Sequence, residues 1–333
     1  MSTPDAPVKR TPLWKLALNV LILLALVGVF VWQLRKDWSA IRAYQWHVDW
    51  LLAGAGLALF LVCTGLDIAI WNRTLGWFTD RLPYGQAAPV YIWSYMARYI
   101  PGKVFSLIAR VALAAEFDRP PVPVLAASVV EMALRCASAL LLFLVPMVGL
   151  GISLPHEGKF LAHIGPLLPY LFTFLVALAL VCTHPRVMIP LTNLALRLMK
   201  RAQITRPVRY GEVLGLFGLL LLRWLVYGGA FLLLLLAFTS QAASHVIALM
   251  GTAAGTWAVG FIIPSPGGLG ITELSIRTVL QTLHFDVSIA DIFPLMLRLL
   301  TLVGEGLWAL AAWGLWQSVR QAKTADVPVL SEP

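Results

Sequence analysis

Apolar residues in this chain run in long blocks rather than alternating with polar ones. Leu16–Leu34, Leu51–Ile70, Val122–Leu150, His163–Cys182, Val213–Phe238, Ser244–Ile263 and Ile292–Trp316 each approach or exceed the length a helix needs to cross a bilayer, about 20 mostly apolar residues. Two further apolar stretches, Ala87–Ala115 and Pro264–Leu283, are interrupted from within. The first contains Arg98-Tyr-Ile-Pro-Gly-Lys-Val-Phe-Ser106, and the second opens on Pro264-Ser-Pro-Gly-Gly-Leu-Gly-Ile-Thr-Glu273. Hydrocarbon cannot satisfy a broken backbone, so such interruptions persist only where protein buries them or where they line a polar cavity. A pair of broken segments, one in each half, points to a transporter-like site at membrane depth. The pattern predicts an all-α, polytopic membrane protein of about seven to eight transmembrane helices with two Pro/Gly-broken, re-entrant segments.

Composition sharpens this reading. Charged residues are 12% of the chain and apolar ones 59%, against about 25% charged in a soluble domain. No polar stretch is long enough for a separate catalytic or nucleotide-binding domain. No phosphate-binding Gly-rich loop and no paired His/Cys metal spacing is present, so no cofactor or metal is expected. The net charge of +9 is scattered among loops and spans, which suits an anionic membrane surface rather than nucleic acid. Cys63, Cys136 and Cys182 lie in or beside apolar spans and read as small core residues. The first block follows Lys9, Arg10 and Lys15 and lacks a small-residue cleavage site, so it is expected to stay as a first helix with residues 1–15 in the cytoplasm. The membrane domain then covers residues 16–318 and a short tail residues 319–333.

The connection Thr183–Gly211 carries Arg186, Arg197, Lys200, Arg201, Arg206 and Arg209 and no acid, and is expected to be cytoplasmic. That requires Ala87–Ala115 to enter and leave on one side. A cytoplasmic C-terminal tail requires Pro264–Leu283 to cross completely. The pattern does not decide between parallel and inverted halves.

Ionisable residues inside spans default to functional candidates. The bases are Arg98, Lys103, Arg110, Arg135, Arg223, Arg277 and Arg298, and the acids Asp67, Glu131, Glu273 and Glu305. Seven against four leaves an excess of three positive charges, which an anionic headgroup such as a lipid phosphate would compensate. Glu131 and Arg135, four apart, share a helix face, and Glu273 and Arg277 repeat that spacing after the second break. Each pair is read either as internal neutralisation or as part of a site. Arg298 and Glu305 lie two turns apart on one face. Arg98, Lys103 and Arg110 have no acid nearby in sequence; Arg98 and Arg110 either snorkel or bind. Arg223 is expected to pair with Glu131, Glu305 or a ligand, and Asp67 to be interfacial. Gly267, Gly268 and Gly270, beside two prolines, predict a non-helical turn rather than mere close packing.

The same residues carry a family resemblance. Arg-Tyr-Ile-Pro-Gly-Lys near position 100, a Glu in the following helix and Pro-Ser-Pro-Gly-Gly-Leu-Gly-Ile-Thr-Glu near 270 resemble the lysylphosphatidylglycerol synthase/flippase membrane domain, over about residues 15 to 318. The resemblance implies translocation of a phospholipid between leaflets in a bacterial inner membrane. It also covers stand-alone members associated with polyprenyl-linked glycan or hopanoid pathways. Best-understood members continue into a cytosolic aminoacyl-transferase domain; none is found here, so aminoacylation is not expected. Where family members often place Arg near the second motif, this chain has Ile271-Thr272-Glu273.

The leading expectation is therefore a transporter of an anionic lipid, with Arg98, Lys103, Glu131, Arg135, Arg223, Gly267, Gly268, Glu273, Arg277, Arg298 and Glu305 as the substrate-binding set. The expected partner is a membrane phospholipid or lipid-linked substrate, with a homo-oligomer or envelope-biosynthesis partners left open. The alternatives are a membrane enzyme acting on a lipid-linked substrate, with Glu131 or Glu273 as acid or base, and a non-catalytic envelope scaffold.

Overall fold

In a computed structural model, residues 38–43, 47–99, 104–149, 184–198, 208–263 and 268–325 are described, with a few isolated positions besides. The predicted span Leu16–Leu34, both chain termini, Lys103 and Gly267 lie outside the described residues, as does His163–Cys182 apart from isolated positions. The chain is an all-helical, polytopic membrane protein, and no strand occurs among the described residues. The helices are α1 Trp38–Ala43, α2 Trp50–Leu75, α3 Tyr84–Met96, α4 Phe105–Ala115, α5 Pro121–Gly149, α6 Pro185–Leu198, α7 Tyr210–Leu236, α8 Val246–Ile262, α9 Ile271–Thr282 and α10 Val287–Ala325. Five are long and apolar enough to cross a membrane: α2, α5, α7, α8 with its leading turn, and α10. Each answers to a predicted span.

Local chemistry explains the ends. The Asp49 carboxylate accepts the Leu51 and Leu52 N–H groups at 2.9 and 3.2 Å and starts α2. Pro121 and Pro123 fall in the first turn of α5, where a missing N–H costs nothing. The Asp286 carboxylate accepts the Ser288 N–H at 2.8 Å and starts α10 earlier than the apolar pattern predicted. Asp291 is thereby drawn into the helix. Within the predicted connection Thr183–Gly211 lies an amphipathic helix, α6, whose Met188 packs beside Trp77 and Val208.

Two helical hairpins define the architecture. Helices α3 and α4 have 13 and 11 residues, about 20 and 16 Å of rise, too short to span a hydrocarbon core of about 30 Å. They pack on each other, and their outer ends meet where Arg119 Nη2 donates to the Arg81 carbonyl at 3.3 Å. The first broken segment is therefore re-entrant, as the basic loop required. The second break lies between α8 and α9, and Gln241 Nε2 donates to the His284 carbonyl at 3.2 Å, so α9 returns to the end where α8 began. The stretch Pro264–Leu283 is the returning arm of a second hairpin, in keeping with two re-entrant segments and not with the complete crossing expected for a cytoplasmic tail.

The hairpins open at opposite ends. The Asp49 N–H donates to the Ala237 carbonyl at 2.9 Å, which sets the start of α2 beside the end of α7, near Gln241 and His284. At the other end Trp77 packs with Val208 and Val213, and Arg320 pairs with Glu116 at 3.2 Å. Arg73, Arg81, Arg119, Arg209 and Arg320 gather there. At the Asp49 end the described residues 47–51, 237–247 and 283–288 carry no Lys or Arg, and the short α1 before them carries Arg42. With the hairpins entering from opposite ends, the two broken segments stand in an inverted relation.

Candidate functional site

The hairpin tips converge on one cavity of about 160 Å³. On the first hairpin, α3 gives way to a 3-10 turn, Ala97–Tyr99, which carries Arg98 at the tip. On the second, Gly268 and Gly270 adopt φ of +75° and +80°. That left-handed backbone crowds a Cβ against the following carbonyl, so the turn needs glycine there. A Cβ at Gly268 would also come within 2.9 Å of Thr272 Oγ1. The helix that follows is capped by its own acid: the Gly270 N–H donates to Glu273 Oε2 at 2.8 Å.

Five arginines line the cavity: Arg98, Arg110, Arg135, Arg223 and Arg298, with Glu131, Glu273 and Glu305. Behind them lies Asp67, 4% exposed. Asp67 takes Arg223 through two hydrogen bonds, at 2.9 Å from Nε and 3.1 Å from Nη2, and faces Arg135 at 2.9 Å. Arg135 also meets Glu131 at 2.6 Å across one helical turn and donates to the Tyr91 hydroxyl at 3.0 Å. Glu131 faces Arg110 at 3.7 Å, and Arg110 Nε donates to Ser94 Oγ at 3.0 Å. The result is a ladder of alternating charge across α7, α2, α5 and α4. Two pairs close the other side. Arg98 bonds to Glu305, whose second oxygen accepts the Tyr99 hydroxyl at 2.8 Å. Arg298 stands 3.8 Å from Glu273 and 5.5 Å from the Tyr99 ring centre. The guanidinium of Arg98 lies 3.9 Å above the Tyr95 ring. Five arginines against four carboxylates leave one net positive charge in the cluster. Among the described residues, Arg98 Nε, Arg110 Nη1, Arg135 Nε and Arg223 Nη1 are buried without a hydrogen-bond partner, four donors against one acceptor of the ladder, Glu131 Oε1, which keeps its ion pair with Arg135. Such donors favour an anionic ligand. Phe60, Trp257, Phe261 and Leu297 supply an apolar wall.

Of the predicted binding set, Arg98, Glu131, Arg135, Arg223, Gly268, Glu273, Arg298 and Glu305 meet here. Arg277 does not. It pairs with Asp291 of α10, outside the cavity lining, rather than with Glu273. Tertiary approach of α10 offers Arg277 an acid that helical spacing alone does not show. Three other expectations are corrected. Asp67 is central rather than interfacial, because α2 continues to Leu75 and moves Asp67 away from its end. Arg223 pairs with Asp67 and not with Glu131 or Glu305. Arg298 and Glu305 share a face of α10 but serve different partners. The expected excess of three positive charges shrinks once Asp291 is counted among the helical acids. Sequence reasoning also missed the tyrosines. Tyr91, Tyr95 and Tyr99, four apart along α3 and its turn, carry the one visible signal, a polar-tipped aromatic stripe beside the break.

The family model "lysylphosphatidylglycerol synthase TM region" matches residues 16–309, and the chain belongs to that family. No curated protein and no solved structure matches the chain.

Proposed function

We propose that this member of the lysylphosphatidylglycerol synthase membrane-region family takes the phosphate of an anionic lipid into the arginine cavity and moves it between leaflets. Family membership supports a role in membrane-lipid handling. The observation that carries the finer reading is the meeting of two oppositely inserted hairpins at a cavity with one net positive charge and buried, unfilled guanidinium donors. A cavity of about 160 Å³ resembles one that holds a benzene-sized molecule, about 150 Å³. It fits a headgroup phosphate and leaves the acyl chains to the bilayer. The hairpins offer the inverted geometry on which alternating access is built. The arginine-rich end faces the cytoplasm of a bacterial inner membrane, by the positive-inside rule.

The test is reconstitution into vesicles holding a fluorescent, headgroup-labelled phosphatidylglycerol, with an impermeant quencher added outside. The protein should bring inner-leaflet label to the quencher, and Arg98→Gln should not. Equal rates in protein-free vesicles would reject transport. Chemical conversion of the labelled lipid would favour an enzyme instead.

A further inference from the structure

The ion pairs of the cavity leave part of each guanidinium unspent. Arg98 and Arg135 meet their acids through Nη2, and Arg223 through Nε and Nη2. Arg98 Nε, Arg135 Nε, Arg223 Nη1 and Arg110 Nη1 stay open, so a phosphate can bind with every pair intact. The carboxylates are in the opposite condition. Asp67 faces Arg135 and Arg223, Glu131 faces Arg110 and Arg135, Glu273 faces Arg298 and Glu305 faces Arg98. With five arginines against four acids, a singly charged phosphodiester brings the cavity to neutrality. An ammonium on the same headgroup restores the excess and finds each acid already facing an arginine. The other polar groups are phenols. The Tyr91 hydroxyl accepts from Arg135 and the Tyr99 hydroxyl donates to Glu305. Tyr95 and Tyr227 also line the cavity, and among the described residues their hydroxyls have no hydrogen-bond partner; both oxygens remain accessible. Each of these rings stands beside a guanidinium with an open nitrogen: Arg98 lies 3.9 Å from the Tyr95 ring centre and Arg223 5.1 Å from that of Tyr227. Trp257 and Phe261, parallel with ring centres 5.3 Å apart, give an apolar wall for C–H groups.

We propose that the cavity selects a phosphodiester whose headgroup is a neutral polyol, such as glycerol or a sugar, and rejects headgroups that carry an ammonium. Tyr95 and Tyr227 are the specificity-determining residues. This rests on the reading of the cavity as a phosphate site and adds what is attached to the phosphate. An arginine only donates hydrogen bonds, whereas a phenol both donates and accepts. An alcohol needs both, so its hydroxyls go to Tyr95 and Tyr227 while the phosphate oxygens take the open guanidinium nitrogens. Both tyrosines stand beside phosphate-binding arginines, so one headgroup reaches both kinds of group at once. Rejection comes from charge: an ammonium enters a positive, water-poor cavity without an unclaimed acid to receive it.

The experiment uses the full chain in nanodiscs and titration calorimetry with three short-chain lipids below their micelle concentrations. Phosphatidylglycerol carries one negative charge and two hydroxyls. Phosphatidylmethanol carries the same charge and no hydroxyl, and phosphatidylethanolamine adds an ammonium. Wild type should bind phosphatidylglycerol about tenfold more tightly than phosphatidylmethanol, the equivalent of two neutral hydrogen bonds of ordinary net strength. Phosphatidylethanolamine should bind more weakly than either. The double variant Tyr95→Phe/Tyr227→Phe keeps both rings and should lower phosphatidylglycerol to the phosphatidylmethanol level while leaving phosphatidylmethanol unchanged, a split that a merely structural role does not produce. Equal wild-type affinity for phosphatidylglycerol and phosphatidylmethanol overturns the polyol preference, leaves the phosphate site standing and needs no variant. Phosphatidylethanolamine binding as tightly as phosphatidylglycerol overturns the charge selection. A folded double variant that keeps the full preference overturns the assignment to these tyrosines. Absence of wild-type binding to all three lipids defeats the parent reading and the selectivity with it.

Discussion

Asp67→Asn removes the hub of the charge ladder at the cost of one atom's identity. Asp67, Arg135 and Arg223 are 4%, 4% and 3% exposed, so the change leaves buried charge rather than a solvated one. Arg135 keeps Glu131 at 2.6 Å. Arg223 loses the one carboxylate that it meets among the described residues, along with both of its hydrogen bonds to it, at 2.9 and 3.1 Å. Breaking a buried pair by removing one partner costs about 3–5 kcal/mol. With the loss falling mainly on one arginine, the lower figure applies. A loss of about 3 kcal/mol lowers the folded-to-unfolded ratio by roughly two orders of magnitude. The assay is reversible unfolding in mixed detergent micelles, followed by tryptophan fluorescence. Adding Arg223→Met, which removes the stranded charge and keeps apolar bulk against Trp224 and Tyr227, should recover most of the loss. A cost below about 1 kcal/mol for Asp67→Asn would show that water reaches the ladder. A double variant as unstable as the sum of the singles would show that the two residues do not act as a pair. Either result would refute the reasoning.

Four further outcomes are expected. Arg98→Gln should weaken binding of labelled phosphatidylglycerol by about one to two orders of magnitude, the equivalent of one hydrogen bond to a charged group, with the protein still folded by size-exclusion chromatography. Glu131→Gln removes an acid that competes for Arg110 and Arg135, so equilibrium binding should tighten while the transport rate in vesicles falls. Gly268→Ala forces a Cβ into a left-handed position at φ +75°, which costs about 1–2 kcal/mol, and should lower the melting temperature even when Thr272→Ala removes the neighbouring hydroxyl. In intact cells an impermeant thiol reagent should label Ser240→Cys, and should reach Asp80→Cys only after permeabilisation; the reverse pattern would invert the assigned orientation.

Reading the chain as a string reached far where a one-dimensional cause dominates. Five membrane helices were legible because lipid demands long apolar runs, and those runs are local. The first re-entrant hairpin followed from Pro101 and Gly102 together with the sidedness of Arg186 and its neighbours. The Glu131–Arg135 pair followed from one turn of one helix. The Gly268–Gly270 turn followed from backbone sterics. The family was legible from two short motifs, because both are breaks that a membrane helix does not tolerate by accident.

What the sequence alone did not determine is how charges find partners between helices. Helical spacing pointed Glu273 to Arg277 and set Arg298 and Glu305 on one face. In the fold Glu273 meets Arg298, Arg277 meets Asp291, and Glu305 meets Arg98 from the far half of the chain. An ion pair needs its two charged atoms within about 4 Å, and that depends on the depth and rotation of whole helices, which no local pattern encodes. Asp67 shows the same limit: apolar content placed it near a helix end, and packing of α2 against α5 and α7 placed it at the centre of the ladder. The inverted entry of the second hairpin was likewise decided by tertiary structure, because α9 is too short to cross by itself and its direction is set by α8, against which it folds back.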